Sequence, residues 1–186
     1  MCAGGTVWEP LRAPGVGPGT SVAVVGLGGL GHLAVALGAE TTVVSRSTDK
    51  AADARRLGAR DLLASADEGR MAASRDRFDL VIDTIAADHD PAPYLRLVAM
   101  DGTLSPVGRL GPVTVEATDL LAGRKSLSSA GSGGRPSTAA MLEFCAEHGI
   151  AADVEVLPSA RVDDAFERLC RGDVRYRFVL DMSDLP

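Results

Sequence analysis

Residues 26–32 read Gly-Leu-Gly-Gly-Leu-Gly-His and follow directly on the apolar run Ser21-Val22-Ala23-Val24-Val25. A G-x-G-x-x-G spacing set between a strand and an apolar helix start leaves the backbone few options. Gly26 permits a tight turn, Gly28 lets the main chain approach a pyrophosphate, and Gly31 lets the helix lie close to the strand. The helix that follows would offer N–H groups and the positive end of its dipole to phosphates, with Gly29 and Leu30 in the same turn. Such a chain is expected to build a parallel α/β fold around a dinucleotide site.

The rest of the chain keeps the same beat. Strand candidates fall at 22–26, 41–45, 61–64, 78–83, 102–108 and 126–131, with helix candidates at about 29–37, 48–57, 67–74, 88–99 and 117–122. Runs such as Phe78-Asp79-Leu80-Val81-Ile82-Asp83 suit strands buried on both faces. This βαβα order predicts a Rossmann-type, doubly wound parallel sheet of about six strands. Gly-Pro punctuation falls between elements, at 14–19 and at Gly111-Pro112. The small, polar stretch Ser128–Gly134 reads either as a linker or as a loop that approaches a ligand. Beyond it come a helix over 137–148 stopped by Gly149, a strand at 154–157, a helix over 159–171 and a last strand at 176–181.

Bulk properties narrow the function. A net charge of −6 argues against a nucleic-acid surface. No apolar run approaches the roughly 20 residues of a membrane span, and the opening carries neither the basic nor the apolar region of a secretory signal. The three cysteines, at 2, 145 and 170, form no disulfide framework and no C-x-x-C pair, so a reducing cytoplasm is expected. Cys145 and Cys170 fall at apolar helix phases and read as core thiols.

The end of the second strand indicates which nucleotide. An NAD site places an acid about 20 residues after the first glycine, but this chain has Val43-Val44-Ser45-Arg46-Ser47-Thr48-Asp49-Lys50 there. Arg46 can pair with a 2′-phosphate, and Ser45, Ser47 and Lys50 add donors. Asp49 reads as an acid in the first turn of the next helix. The stretch favours NADP(H) over NAD.

Four segments carry a family resemblance: Gly26–His32, Phe78–Thr84, Met141–Ile150 and Asp173–Asp181. Together they resemble the zinc-type medium-chain alcohol dehydrogenases, in particular the NADP-dependent cinnamyl-alcohol-type aldehyde reductases. The resemblance implies hydride transfer between NADP(H) and an alcohol or aldehyde at a catalytic zinc, which polarises the substrate oxygen. It also implies that Gly26, Gly28, Gly29, Leu30 and Gly31 hold the pyrophosphate, and Ser45, Arg46, Ser47 and Lys50 the 2′-phosphate. Thr84, Val107 and Gly108 would line the adenosine and nicotinamide sides, and Arg177 could reach a phosphate or stay solvated. The opening Cys2-Ala3-Gly4-Gly5-Thr6-Val7-Trp8-Glu9-Pro10-Leu11 resembles the family's C-A-G-x-T-x-Y-x-P-L segment. By that resemblance Cys2 is the third zinc ligand and Thr6 lies by the nicotinamide, with Trp8 where tyrosine is usual.

Several features depart from the pattern. The family's N-terminal catalytic domain, with its other zinc ligands and its structural zinc lobe, has no counterpart in the 186 residues. A catalytic zinc needs three protein ligands, so neither an occupied zinc site nor turnover by the lone chain is expected. Residues 1–19 then read as a junction remnant, 20–149 as the NADP-binding domain, and 150–186 as a tail whose strands lack a sheet to join. Such strands should be exposed edges or pack irregularly, and exposed edges invite homo-oligomers. The first helix looks one turn short at Ala36-Leu37-Gly38. Pro106 removes a ladder donor from the fifth strand, which should loosen the backbone at 107–108. Three readings stay open: the cofactor half of an alcohol dehydrogenase or aldehyde reductase whose small-molecule substrate needs a separately supplied catalytic half, a non-catalytic NADP(H)-binding module, and a remnant.

Overall fold

In the computed structural model the apolar runs of the first 150 residues lie side by side in one parallel sheet. Its strands are β1 (Ser21–Val25), β2 (Glu40–Ser45), β3 (Asp61–Ala64), β4 (Phe78–Asp83), β5 (Val98–Pro106) and β6 (Ser126–Leu127), in the order β3-β2-β1-β4-β5-β6. Residues 1–13, 16–38, 40–131 and 133–185 are described. Pro14, Gly15, Ala39 and Ser132, which the sequence places in connecting segments, lie outside the described residues, as does Pro186. The chain divides into two compact units, Met1–Ile150 and Ala151–Pro186.

In the first unit the expected Rossmann-type architecture is present. Val22–Val25 of β1, Val43 and Val44 of β2, and Leu80–Ile82 of β4 are all buried, as strands covered on both faces require. Between the strands run α2 (Gly31–Leu37), α3 (Ala51–Arg56), α4 (Glu68–Ala73), α5 (Ala92–Leu95) and α6 (Ala117–Leu121). With 7 residues α2 is short, about 10 Å at 1.5 Å per residue. The crossover still closes: β2 pairs with β1 in unbroken parallel register from Ser21–Glu40 to Val25–Val44.

Several elements differ from the sequence expectation, among them β5, expected over 102–108 and found over Val98–Pro106. The segment 2–11, which carries no helix signal, forms α1 (Cys2–Leu11) despite Gly4, Gly5 and Pro10. Weak propensity is overridden by burial of Ala3, Gly4, Val7 and Trp8. This helix packs on α2 and on α7 (Arg135–His148). Gly4 makes the approach to α7 close, since a methyl group there would sit 2.7 Å from Met141 Sδ.

The expected helix over 88–99 shrinks to the four residues of α5, which Pro91 opens. Buried Leu97 sits in the turn after it, and Val98, expected in the helix, opens β5 and pairs with Phe78. Strand β6 stops at Leu127 rather than 131. The Ser128 N–H donates to the Leu104 carbonyl at 3.0 Å. The next bond in this parallel register would run from residue 106 to the Ser128 carbonyl, and Pro106 has no N–H to give. The backbone beyond it is nevertheless held, because Val107 N–H and Gly108 N–H both donate to the Asp83 carbonyl, at 2.8 and 3.1 Å.

In the second unit the two tail strands find each other. β7 (Glu155–Pro158) and β8 (Phe178–Asp181) pair in parallel, joined through α8 (Val162–Arg171). Arg168 on α8 braces the pair by bonding Glu155 at 2.8 Å and Asp173 at 3.0 Å. Asp163 and Asp164 sit in the first turn of α8, where they complement its dipole. Cys170 is exposed and Cys145 only half-buried, so neither is a core thiol: the inner face of α8 is set by Val162, Ala165 and Arg168, and the inner face of α7 by Met141. Among the described residues no helix is long and apolar enough to cross a membrane.

Trp8 is the one tryptophan of the chain, and it is buried on α1 against Phe144, with ring centroids 5.2 Å apart. Its fluorescence therefore reports α1 docking. Native emission should be blue-shifted from that of the denatured chain, and should move red together with the loss of far-UV circular dichroism during urea unfolding. Native emission matching the denatured chain would contradict the packing of α1.

Candidate functional site

The parallel strands β2, β1, β4 and β5 all end at one edge of the sheet. Val25 lies opposite Val44 and Asp83, and Asp83 opposite Pro106. The chain reverses strand order between β1 and β4, so the crevice outside these ends is where ligands bind in open α/β sheets.

The glycine turn fills one side of this crevice. Gly26 leaves β1 at φ +86°, a left-handed conformation that favours glycine, while its N–H donates to the Val44 carbonyl at 2.8 Å. A methyl group on Gly31 would lie 2.0 Å from the Gly26 oxygen, so only glycine lets α2 start this close to β1. Gly28 is different: it is exposed, and a methyl group there would have no heavy atom within 4 Å. Its carbonyl is engaged inward, accepting from the His32 N–H at 3.0 Å and from His32 Nδ1 at 3.0 Å. His32 is thus a buried structural donor. Gly29 and Leu30 are half-buried in the same turn.

Thr84, at the end of β4, ties the turn to its neighbour. Its Oγ1 donates to the Val25 carbonyl at 2.7 Å and lies 3.3 Å from the Gly26 oxygen. On its other side the backbone of Thr84 meets Gly108, where a methyl group would lie 2.3 Å from the Thr84 carbonyl carbon. Gly26 and Gly31 of the turn therefore interlock with Thr84 and Gly108, which are distant in sequence. Val107, half-buried, precedes Gly108 at the end of β5.

The residues expected around a 2′-phosphate lie one strand away, after β2. Ser45 is half-buried and ends the strand, and Arg46 beyond it is exposed. Ser47 Oγ donates to Asp49 Oδ2 at 2.8 Å. That local turn keeps Asp49 ahead of α3, whose first-turn acid is Asp53 instead. Lys50 Nζ donates to the Leu27 carbonyl at 2.9 Å, which joins this segment to the glycine turn. Thr6 is half-buried in α1 with its hydroxyl on the Cys2 carbonyl at 3.0 Å, and Cys2 is exposed. Arg177 belongs to the second unit, just before β8. Among the described residues no three His, Cys, Asp or Glu side chains group to hold a metal. The donor set here does not fit a catalytic zinc.

Three neighbours of the crevice, Asp83, His89 and Arg109, were not among the site residues expected from the sequence. Asp83, buried at the end of β4, accepts from His89 Nε2 at 2.8 Å and from the Ile85 N–H at 3.0 Å. Arg109, directly after Gly108, is largely buried and pairs with Asp88, holding that carboxyl below its usual range. Burial and the Asp83 charge push the Tyr94 phenol up. The available signal was the charged residue closing an otherwise apolar buried run, followed six positions later by a histidine.

A cavity of about 930 Å³ runs along β5 and β6, and its lining includes the carboxylates Glu9, Asp79 and Asp101. Those charges oppose a dinucleotide's phosphates. None of the glycine-turn residues lines it.

Sheet order and glycine turn define a protein of the Rossmann-type α/β class. More narrowly, the chain belongs to the zinc-binding dehydrogenase family, which it matches over residues 24–147. It is 46% identical over 190 aligned residues to the probable formaldehyde dehydrogenase AdhA of Bacillus subtilis, covering 100% of this chain and 54% of the relative. It is 44% identical to the NADP-dependent alcohol dehydrogenase C of Mycobacterium bovis, covering 100% and 55%. Among solved structures it superposes on a cinnamyl alcohol dehydrogenase of Sorghum bicolor with TM-score 0.93 and 41% identity, covering 99% of this chain and 54% of that one. It superposes on CAD from Helicobacter pylori complexed with NADP(H) with TM-score 0.85 and 28% identity, covering 99% and 54%. The chain thus spans about half the length of the relatives it matches.

The two glycines of the turn should separate stability from access. Gly31→Ala should lower Tm by roughly 5–10 °C, as expected for overpacking worth about 2–3 kcal/mol. Gly28→Ala should leave Tm within about 2 °C of the parent. Equal Tm values for the two variants in a thermal melt would contradict the interlock.

Proposed function

We propose that this chain is the cofactor-binding portion of an NADP-dependent alcohol dehydrogenase or aldehyde reductase. The observation that carries the proposal is the interlock of Gly26, Gly31, Thr84 and Gly108, which leaves exposed Gly28 as open backbone at the mouth of the crevice. That is the shape a pyrophosphate needs, with backbone N–H groups at hand and no side chain in the way. The pyrophosphate rests on Gly26–Gly31. Arg46, with Ser45 and Ser47, takes the 2′-phosphate, and Lys50 supports it while bracing the turn through Leu27. Thr84, Val107 and Gly108 border the rest of the nucleotide. Residues 20–149 form the binding domain, with 1–19 as its junction and 150–186 as a return segment toward a catalytic portion.

When bound, NADPH supplies a hydride for an aldehyde, and NADP accepts one from an alcohol. This chain's residues bind and orient the nucleotide. Cys2 alone cannot hold a catalytic zinc, so the chain by itself does not turn over, and the alcohol or aldehyde meets the cofactor once a catalytic portion is supplied. The relatives' NADP-dependent alcohol dehydrogenase activity supports the assignment at the level of the family.

Parallel calorimetric titrations with NADPH and NADH test the nucleotide. NADPH should bind at least about tenfold more tightly, roughly 1.4 kcal/mol, and Arg46→Ala should bring the two affinities within about threefold. Equal affinities in the parent chain would overturn the NADP assignment, and binding of neither would overturn the site. Oxidation of NADPH with an aromatic aldehyde by the zinc-supplemented chain would contradict its inactivity alone.

A further inference from the structure

The loop that leaves β4 folds back on itself through one histidine. His89 Nε2 lies 2.8 Å from Asp83 Oδ2, and His89 Nδ1 lies 2.9 Å from the Ala87 carbonyl. The Asp83 carboxylate can only accept, so the Nε2–H of the ring is the donor that draws the loop's far end down onto the strand end. The other oxygen of Asp83 accepts from the Ile85 N–H at 3.0 Å. The backbone carbonyl of Asp83 takes the N–H groups of Val107 and Gly108. One buried carboxylate residue therefore links the loop 84–89 to the end of β5, and His89 closes the link. Neither side chain is exposed: 17% of His89 and 3% of Asp83 is accessible. The ring of Tyr94 lies 5.7 Å from that of His89, and Arg109 pairs with Asp88 beside it.

Strand order says which part of a nucleotide this clasp would shape. The segment carrying Arg46 follows β2, on one side of β1, and the loop 84–89 follows β4, on the other. A nucleotide whose pyrophosphate rests on the turn after β1, with its 2′-phosphate toward β2, has its nicotinamide half toward β4 and β5. We infer that His89, acting through Asp83, is a positioning residue for the nicotinamide half of the nucleotide; the inference rests on the NADP(H) reading above. The clasp fixes the course of Thr84–Ala87 against Gly108 and leaves the adenosine half to the other strand ends.

The test compares NADPH with adenosine 2′,5′-bisphosphate, which keeps the adenine and the 2′-phosphate but lacks the nicotinamide half. Calorimetric titrations would use the parent chain, His89→Leu and His89→Gln, the glutamine amide being able to donate to Asp83. His89→Leu should weaken NADPH about tenfold while changing the bisphosphate affinity less than about twofold, and His89→Gln should recover most of the NADPH loss. Unchanged NADPH affinity in His89→Leu would overturn the inference. So would equal losses for both ligands, which mark a merely structural role, or a glutamine variant no better than leucine. A parent chain that binds neither ligand would overturn the NADP(H) reading itself and the inference with it. One that binds the bisphosphate and NADPH equally tightly would overturn the inference alone.

Discussion

The contact on which the first unit depends is the approach of Gly31 to the Gly26 carbonyl, so close that a single methyl group would collide at 2.0 Å. It sets the start of α2 against the end of β1, and from that the remaining geometry follows. Because α2 begins there, its 7 residues suffice to return the chain to β2 in register with β1. Because Gly26 turns at positive φ, its carbonyl and that of Val25 are presented to Thr84, and the threonine hydroxyl binds the turn to β4. Gly108 extends the same close packing to β5. The crevice is the outer surface of this tightly packed wall, which is built from close main-chain contacts together with the Thr84 hydroxyl.

Charge separates this crevice from the hollow along β5 and β6. That hollow places Glu9, Asp79 and Asp101 around hydroxyl-bearing residues. Anions are disfavoured there even though the volume is ample. At the crevice the flanking groups include backbone N–H donors, Arg46 and Lys50, whereas the hollow's lining carries no lysine or arginine among the described residues. On the proposed function, concavity alone does not mark the nucleotide site.

Much of the fold was legible because the decisive signals are local. β1 to β4 each carry a short buried apolar centre, such as Val22–Val25, Val43-Val44, Leu62-Leu63 and Leu80–Ile82, and the glycine spacing fixes what joins the first strand to the next helix. Other elements depend on partners distant in sequence. The helix Cys2–Leu11 has poor propensity and exists because Val7 and Trp8 are buried against α2 and α7. The early end of β6 is written in Pro106, two strands' worth of chain upstream, and becomes visible only once the register of β5 and β6 is known. The tail strands were expected to lack a partner, and their pairing with each other is a tertiary choice that periodicity does not encode. At the site, the glycines and Arg46 were readable from spacing. Asp83, His89 and Arg109 were not, since their roles arise from strand ends meeting in space.

On the proposed function the nucleotide is held by the interlocked turn at the ends of β1, β2, β4 and β5. A backbone amide NMR map of the ¹⁵N-labelled chain titrated with NADPH tests this. Shifts should concentrate at 26–31, 45–50, 84–87 and 107–108, with little change at Glu9, Asp79, Asp101 or in residues 151–185. Shifts centred on the acidic hollow or on the tail, with the glycine turn unmoved, would contradict it.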